Sequence, residues 1–338
     1  MKARIDKIKL YVPDKILTND DLSNENPEWD IDKIFSKIGI SKRHIASEGQ
    51  TSVDLAVESG KKLLIQYPDL RDKIDYLILC TQSPDYYLPT SACIVQDRLK
   101  LNNTTGAIDV NQGCSGFVYS LGLAKGLIES DQAKNILIIT SETYSKFIHP
   151  KDKSVRTIFG DAAACTLVSG IETDDNFISS PVYGTDGSGY KSLIVPYGGM
   201  RNPNNSTKIE KTDMNNNTRT DANLFMDGKE VFLFTLKQIP KLYHTILDKE
   251  GLAPDDIDIF ILHQANKFML DSLKNKLKIP ELKMHRSYQN YGNTVSSTIP
   301  IGLSIEKSKH SFNNNQTKTA MLLGFGVGLS WAGTIVKI

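Results

Sequence analysis

The chain has 338 residues, 40% of them hydrophobic, which is enough to bury one large core or two smaller ones. Its 40 basic and 39 acidic residues leave a formal net charge of +1, which disfavours a nucleic-acid binder that relies on a broad basic surface. No run approaches the roughly 20 apolar residues of a membrane span, and the first ten residues lack the apolar core of a signal peptide. We therefore expect a cytoplasmic protein with no membrane or nucleic-acid partner. The four cysteines show no CxxC or zinc spacing, so no metal site is expected.

Two buried strands are predicted in the first half of the chain. Residues 75–80 and 135–140 are short runs rich in Ile and Leu, a pattern typical of strands covered on both faces. Stretches between such runs, for example Ser115 to Ser130, predict helices. Alternating strands and helices favour a layered α/β architecture with mainly parallel strands.

A cysteine flanked by glycines lies between a strand and a helix. Residues 107–110 predict a strand, residues 113–116 a tight turn, and a helix begins at Phe117. Cys114 therefore lies at or next to a helix N-terminus, where the helix dipole and nearby amides should lower the pKa of a thiol. The glycines leave room for a substrate. Cys114 is a candidate nucleophile, and the alternative is a buried structural cysteine, which fits Cys80 and Cys165.

A polar stretch follows in the second half. Residues 201–223 are dense in Asn, Thr, Asp and Lys and poor in apolar residues. This composition predicts a surface loop or a mobile flap. Both a plain solvated insertion and a role in substrate entry stay open.

Two polar residues in the last third are candidate partners of Cys114. His263 ends the apolar run 259–262 and precedes a helix predicted from Lys267. The carboxyl ends of strands are where α/β folds place their sites, although a buried core histidine is the alternative. Asn293 lies in a turn that leads into a helix of small residues. It is either a helix N-cap or an amide donor held toward a pocket.

A glycine-rich segment, Gly324 to Ser330, follows a predicted strand near the C-terminus. Its GxGxG pattern lacks the βαβ unit that a dinucleotide fingerprint requires, so we reject that interpretation. Backbone amides that approach a substrate closely and form an anion hole fit the segment better.

The chain repeats part of its pattern. Residues 75–80 and 258–263 are apolar runs that begin with Asp and end with Cys or His. A second pair of apolar runs, residues 135–140 and 319–324, is separated by nearly the same number of residues as the first pair. The repeat predicts two similar halves, residues 1–170 with the cysteine and residues 171–338 with the histidine and asparagine. Coincidence between two common strand patterns is the alternative.

Seven motifs, in order along almost the whole chain, resemble those of β-ketoacyl-acyl-carrier-protein synthase III, a family of thiolase-like condensing enzymes. They are GISKRHIA (39–46), DVNQGCSGF (109–117), IFGDAAA (158–164), MDGKEVF (226–232), HQAN (263–266), YGNTVSS (291–297) and GFGVGLSW (324–331). HQAN together with the GNT motif and a glycine-flanked cysteine is specific to this family. The resemblance implies an α/β fold of the duplicated, five-layered αβαβα thiolase type.

The resemblance also implies a mechanism. Cys114 takes an acyl group from a thioester, usually acyl-CoA, and malonyl-acyl-carrier protein then enters the site. His263 and Asn293 stabilise the enolate that forms as carbon dioxide leaves, and the carbanion attacks the acyl-Cys to give a 3-ketoacyl-carrier protein. Backbone N–H groups of Cys114 and Val327 form the oxyanion hole. No cofactor is implied, because CoA and phosphopantetheine thioesters are substrates, and a homodimer is expected.

By the same resemblance, substrate contacts are expected at seven further positions, which are Leu88, Lys153, Gly228, Lys229, Asn266, Lys267 and Phe325. The adenine-stacking tryptophan of the family is displaced here to Trp29, and Lys153 stands where an arginine is usual. Because an ammonium replaces a planar guanidinium poorly, an acyl-carrier-protein donor is expected beside acyl-CoA. Leu88 matches a position that reaches across the dimer, where the family often has Phe, and the smaller side chain predicts a longer acyl pocket.

Two other functions are compatible with parts of this pattern. One is transfer of the acyl group to an alcohol or amine in a polysaccharide or specialised pathway, which needs the acyl-Cys but no decarboxylation. The other is a non-catalytic partner subunit, which the intact Cys, His and Asn set disfavours. The retained His263 and Asn293 favour condensation over both.

Overall fold

The structure, a computed structural model, describes residues 1–203, 209–311 and 317–338. Its strands are, in chain order, β1 (Lys2–Tyr11), β2 (Ile16–Thr18), β3 (Lys42–His44), β4 (Tyr76–Cys80), β5 (Gly106–Val110), β6 (Asn135–Glu142), β7 (Ala162–Ile171), β8 (Val182–Thr185), β9 (Leu193–Ile194), β10 (Lys211–Thr212), β11 (Thr218–Arg219), β12 (Phe225–Met226), β13 (Ile259–Leu262), β14 (Thr319–Gly326) and β15 (Ser330–Lys337). Its α-helices are α1 (Asn19–Glu25), α2 (Ile31–Ile38), α3 (Ser52–Gln66), α4 (Ser91–Arg98), α5 (Gly116–Glu129), α6 (Lys153–Arg156), α7 (Gly228–Glu250), α8 (Lys267–Leu277), α9 (Tyr288–Tyr291) and α10 (Thr298–Ser311).

The first large sheet has the strand order β1-β7-β6-β4-β5. Its centre, where β4 pairs in parallel with both β5 and β6, is apolar on both faces, as the runs of Ile and Leu predict. Leu77 and Leu79 pack with residues of α3 and α4, whereas Ile78 between them packs with α5. Helices therefore cover both faces of this sheet.

The second large sheet has the order β13-β14-β15-β8, with β13 and β14 parallel. Ile261 and Leu322 face the same core as α5 and α10, whereas Phe260 and Leu323 pack with α7 and α8. Helices α5 and α10 thus lie between the two sheets. The layers alternate as helix, sheet, helix, sheet, helix, which is the five-layered αβαβα order that was predicted.

The predicted repeat is visible in the strand pairing. Its first members form the parallel pair β4 and β6, and its second members form the parallel pair β13 and β14. The first large sheet uses strands between residues 2 and 171, and the second uses strands between residues 182 and 337. The division into halves at residue 170 itself stays a prediction.

Part of the polar stretch 201–223 forms a short hairpin. Strands β10 and β11 pair antiparallel, and Arg219 donates to the fully buried carboxylate of Asp152 at 3.0 Å. This ion pair anchors the hairpin to α6, because Asp152 is the N-cap residue of that helix. Residues 204–208 of the predicted loop lie outside the described residues. Across the described parts of the chain, no helix is both long and apolar enough to span a membrane.

Candidate active site

Cys114 lies in the turn between β5 and α5, one residue before the N-cap of that helix, Ser115. Its side chain is only 5% exposed. Two glycines make this position possible: a Cβ on Gly326 would lie 2.7 Å from the Cys114 sulfur, and a Cβ on Gly113 would lie 2.5 Å from Val327. The strand, turn and helix predicted around Cys114 are confirmed.

The pKa of the Cys114 thiol is raised to about 12, mainly because burial disfavours the thiolate and also because the Glu142 carboxyl is near. The N–H groups of Val327 and of Cys114 itself act in the opposite direction. The predicted lowering of the thiol pKa by the helix N-terminus is therefore wrong: desolvation in the interior outweighs the amide donors. The thiol is therefore protonated at neutral pH.

This raised pKa predicts the pH dependence of alkylation at Cys114. The thiolate fraction of a group with a pKa of about 12 keeps growing with pH from about pH 7 to 9, by somewhat less than about tenfold per unit because the nearby Glu142 carboxyl ionises in the same range. The iodoacetamide rate follows the thiolate. Peptide mass spectrometry measures the rate at Cys114, with exposed Cys93 in the same chain as the reference for reagent decay. A rate at Cys114 that levels off below about pH 9 would contradict the raised pKa.

His263 follows the last residue of β13, and its N–H donates to the Leu323 carbonyl of β14 at 2.8 Å. The imidazole is 2% exposed, and Nδ1 lies 2.8 Å from Thr298 Oγ1. Burial lowers the pKa of His263 to about 3, so the ring is neutral near pH 7. The Thr298 hydroxyl, which has one hydrogen, also lies 3.0 Å from the Val295 carbonyl oxygen. In the tautomer in which this hydroxyl donates to Nδ1, the ring proton resides on Nε2, which is then a hydrogen-bond donor.

Asn293 lies beside the IFGD segment of the first half. Its backbone N–H donates to the Ile158 carbonyl at 2.9 Å, and its carbonyl accepts from the N–H of Gly160 at 3.0 Å. The side-chain Oδ1 accepts from the N–H of Val295 at 2.9 Å. This bond fixes the amide plane and leaves Nδ2 as a donor. A 3₁₀ turn, Val295–Ser297, leads directly into α10, and its N-cap residue is Thr294 rather than Asn293.

The three residues line one pocket of about 80 Å³. Its other walls are Ile158, Phe159, Leu193, Met226, Gly228, Val231, Ala265, Asn266, Met269, Phe325 and Gly326. The Phe325 ring stands edge-on to His263, with 5.4 Å between the ring centres. A thiol, a neutral imidazole and an amide donor therefore meet in a small, mostly apolar space, where hydrogen bonds to a developing oxyanion are strong.

A second, larger cleft of about 670 Å³ adjoins this pocket, because Ile158 lines both. Three lysines, Lys33, Lys37 and Lys153, line the cleft together with Glu28 and Asp30, so its lining carries a formal net charge of +1. Trp29 also lines it, but only 6% of that residue is exposed, since it packs on Leu17 and Leu22. The hairpin of β10 and β11 contributes Asn215 and Asn217 to the same cleft.

The other predicted substrate residues divide into two groups. Gly228, Asn266 and Phe325 line the catalytic pocket, and Asn266 also caps α8 by accepting from the Met269 N–H at 2.9 Å. Lys229 and Lys267 are exposed at the first turns of α7 and α8, and Leu88 is 82% exposed. The structure does not place these last three side chains in the pocket.

Several residues of the site were not found from the sequence. Thr298, which contacts His263, and the pocket wall Leu193 lie in no motif. Met226, another pocket wall, begins the MDGKEVF motif but was not predicted to contact the substrate. Glu142 had a signal: it ends the buried run of β6, where a charged residue is rare. Of the other cysteines, Cys80 and Cys165 are fully buried, and burial raises the pKa of both thiols, in agreement with a structural role.

Fold and site together define a five-layered αβαβα protein whose two mixed sheets bring a buried cysteine, a histidine and an asparagine to one pocket. Models of 3-oxoacyl-[acyl-carrier-protein (ACP)] synthase III match residues 108–187, and models of its C-terminal part match residues 247–338. A β-ketoacyl-[acyl-carrier-protein] synthase III of Caldanaerobacter subterraneus is 36% identical over 330 residues, 97% of this chain and 95% of the relative. The chain belongs to the 3-oxoacyl-[acyl-carrier-protein] synthase III family.

Solved structures agree with this assignment. A crystal structure of a 3-oxoacyl-(acyl-carrier-protein) synthase III is 46% identical, with a TM-score of 0.95 and full coverage of both chains. A 3-oxoacyl-(acyl-carrier protein) synthase from Burkholderia xenovorans is 34% identical, with a TM-score of 0.91, and covers 100% of this chain and 94% of its own. The family and the thiolase-like fold predicted from the motifs are confirmed.

Proposed function

We propose that this protein catalyses the decarboxylating condensation of an acyl thioester with malonyl-acyl-carrier protein, giving a 3-ketoacyl-carrier protein. The observation that carries the proposal is the single pocket in which Cys114, His263 and Asn293 meet. Relatives named β-ketoacyl-[acyl-carrier-protein] synthase III support it. Transfer of the acyl group to an alcohol or amine is not favoured, since such a reaction has no use for donors that stabilise an enolate.

The first half-reaction loads the acyl group on Cys114. The sulfur attacks the thioester carbonyl, a new C–S bond forms, and the carbonyl oxygen becomes an oxyanion. We assign its stabilisation to the N–H groups of Cys114 and Val327, which already act on the Cys114 sulfur in this structure. The donor's C–S bond then breaks, and its thiol leaves with the proton that Cys114 gave up.

The second half-reaction uses His263 and Asn293. The bond between the malonyl carboxylate and the α-carbon breaks, carbon dioxide leaves, and the electron pair forms an enolate. Asn293 Nδ2 donates to the enolate oxygen, and so does His263 Nε2–H in the tautomer whose Nδ1 accepts from the Thr298 hydroxyl. The α-carbon attacks the acyl-Cys carbonyl, a C–C bond forms, and the Cys114 sulfur leaves and regains a proton.

The lysine-lined cleft is proposed to hold the phosphates of a CoA donor. Lys33, Lys37 and Lys153 supply three cations beside the catalytic pocket, one more than the carboxyl groups of Glu28 and Asp30 in the same lining. CoA or phosphopantetheine enters as substrate rather than as a resident cofactor. An acyl-carrier-protein donor carries fewer phosphates and depends less on this cleft.

Replacing Lys33 and Lys153 together by alanine should raise the KM for acyl-CoA about tenfold, because two charge-assisted contacts are lost. The KM for an acyl-carrier-protein donor and the kcat should stay within about twofold. Steady-state kinetics with both donors measure the difference, and the matched control is the Lys61→Ala/Lys100→Ala double variant, whose lysines are exposed away from the cleft. Equal effects on the two donors would refute this role of the cleft.

Partner surfaces are proposed from exposed groups. Lys229 and Lys267 flank Gly228 and Asn266 at the pocket and suit an acidic carrier protein by charge complementarity. Tyr86, Tyr87 and Leu88 are 61%, 72% and 82% exposed, an apolar segment that a second copy of the chain would cover. The longer acyl pocket expected from Leu88 and the cytoplasmic location stay predictions.

Product analysis tests the function. The protein is incubated with acyl-CoAs of different chain length and malonyl-acyl-carrier protein, and the carrier protein is weighed by mass spectrometry. We expect a 3-ketoacyl-carrier protein and carbon dioxide in equal amounts. Consumption of acyl-CoA with malonyl-carrier protein unchanged would refute condensation.

A further inference from the structure

A fully buried carboxyl, Glu142, lies near the catalytic pocket and has no part in the steps above. It ends β6, and its two oxygens accept from the N–H of Gln82 at 3.1 and 3.2 Å. Hydroxyls of Ser83 and Ser296 lie 3.0 Å from the same carboxyl. Glu142 therefore joins the end of β4 in the first half to a turn of the second half.

The turn held by Glu142 is conformationally strained. Ser296 lies in the single 3₁₀ turn Val295–Ser297, whose first residue has a φ of +53°. A β-branched residue in the left-handed region is an outlier, because its side chain crowds the backbone there. Such a conformation persists only where the surroundings hold it. The hydroxyl of the next residue, Ser296, bonded to a buried carboxyl, is such a restraint.

The strained residue contacts both side chains of the second half-reaction. The N–H of Val295 donates to Asn293 Oδ1 at 2.9 Å. Thr298 Oγ1 lies 3.0 Å from the Val295 carbonyl oxygen and 2.8 Å from His263 Nδ1, and its one hydrogen is donated to one of these two acceptors at a time. A change in this one backbone segment would therefore reorient the Asn293 amide and the His263 ring together.

We propose that Glu142 is a positioning residue, which anchors Ser296 and so holds the strained Val295 turn in the conformation that aims Asn293 and His263 at the enolate oxygen. The inference rests on the proposed function. It assigns Glu142 to the decarboxylation half-reaction and gives it no contact with substrate. Burial raises the pKa of Glu142 to about 8, so the carboxyl is mostly neutral at pH 7 and adds little negative charge beside Cys114.

The neutral state suggests a conservative replacement. In Glu142→Gln, the amide oxygen can accept from the Gln82 N–H and the Ser83 hydroxyl, and the amide nitrogen can donate to the Ser296 hydroxyl oxygen. A protonated carboxyl offers the same acceptor and donor. Alanine removes every contact to the Ser296 turn. Ser296→Ala removes one hydroxyl only and leaves the bonds of Glu142 to Gln82 and Ser83, so it tests the same anchor with little risk to folding.

The experiment measures both half-reactions in the full chain. Intact mass follows acylation of Cys114 by acyl-CoA, and released carbon dioxide follows decarboxylation of malonyl-acyl-carrier protein. Because small misplacements of catalytic groups are costly, we expect Glu142→Ala to slow decarboxylation about 10- to 100-fold and Ser296→Ala about tenfold. Acylation should stay within about threefold in both, and Glu142→Gln should decarboxylate within about threefold of the wild type.

Three results would overturn the inference. They are equal slowing of both half-reactions, unchanged decarboxylation in Ser296→Ala, and a Glu142→Gln variant as slow in decarboxylation as Glu142→Ala. If Glu142→Ala does not fold, Ser296→Ala and Glu142→Gln decide. Wild-type protein that fails to decarboxylate malonyl-carrier protein refutes the proposed function, and the inference falls with it. An active wild type with unaffected variants refutes the inference alone.

Discussion

Replacing Cys114 by alanine is expected to abolish acyl-enzyme formation and to lower condensation by about 10⁴-fold or more, as loss of a catalytic nucleophile does. Cys114 is the one cysteine of the described residues that lines the pocket. Cys80 and Cys165 are fully buried, and burial raises the pKa of both. Cys93 is exposed on α4 and does not line the pocket. Intact mass after incubation with acyl-CoA measures the adduct directly.

The matched control is Cys93→Ala, which removes the exposed thiol and leaves the pocket intact. This variant should form the same adduct as the wild type at the same rate. An adduct that persists in Cys114→Ala, or disappears in Cys93→Ala, would show that Cys114 is not the nucleophile.

Replacing Asn293 by alanine is expected to slow malonyl decarboxylation about 10²- to 10³-fold, the usual cost of removing one donor to a developing oxyanion. Acylation of Cys114 should change by less than about tenfold, because its oxyanion is assigned to the N–H groups of Cys114 and Val327. The Val295 N–H fixes the amide orientation and leaves Nδ2 as the donor that the variant lacks. Released carbon dioxide and the acyl-enzyme mass measure the two half-reactions separately.

The control for this variant is Asn290→Ala, three residues earlier in the chain and exposed. It should leave both half-reactions within about twofold of the wild type. Equal loss of acylation and decarboxylation in Asn293→Ala would contradict the separate role given to Asn293. The loss of activity would then be attributed to disturbed backbone hydrogen bonds between Asn293 and the residues Ile158 and Gly160.

The fold could be predicted because the sequence patterns that specify it lie within single strands or recur along the chain. The runs that become β4, β6, β13 and β14 are apolar throughout, as strands covered on both faces require. Their pairing in the structure reproduces the repeat read from the chain. Cys114 and His263 could be found in the same way, since each follows a strand and precedes a helix.

The rest of the site depends on contacts between distant parts of the chain. The position of Cys114 before a helix predicted a lowered thiol pKa. Burial of the thiol, which results from packing of the two halves, raises this pKa instead. The hydrogen bonds from Thr298 to His263 and from Ser296 to Glu142 join residues far apart in sequence. Only the second had a local signal, the charged residue at the end of β6.

The measurement that tests the central claim most directly is a single-turnover experiment on the wild-type protein. Acyl-CoA is added first, the acyl-enzyme is mapped by peptide mass spectrometry, and malonyl-acyl-carrier protein is then added. We predict an adduct on Cys114 that disappears at the rate at which 3-ketoacyl-carrier protein and carbon dioxide form. An adduct on another residue, or an adduct on Cys114 that malonyl-carrier protein leaves untouched, would contradict the proposed condensation.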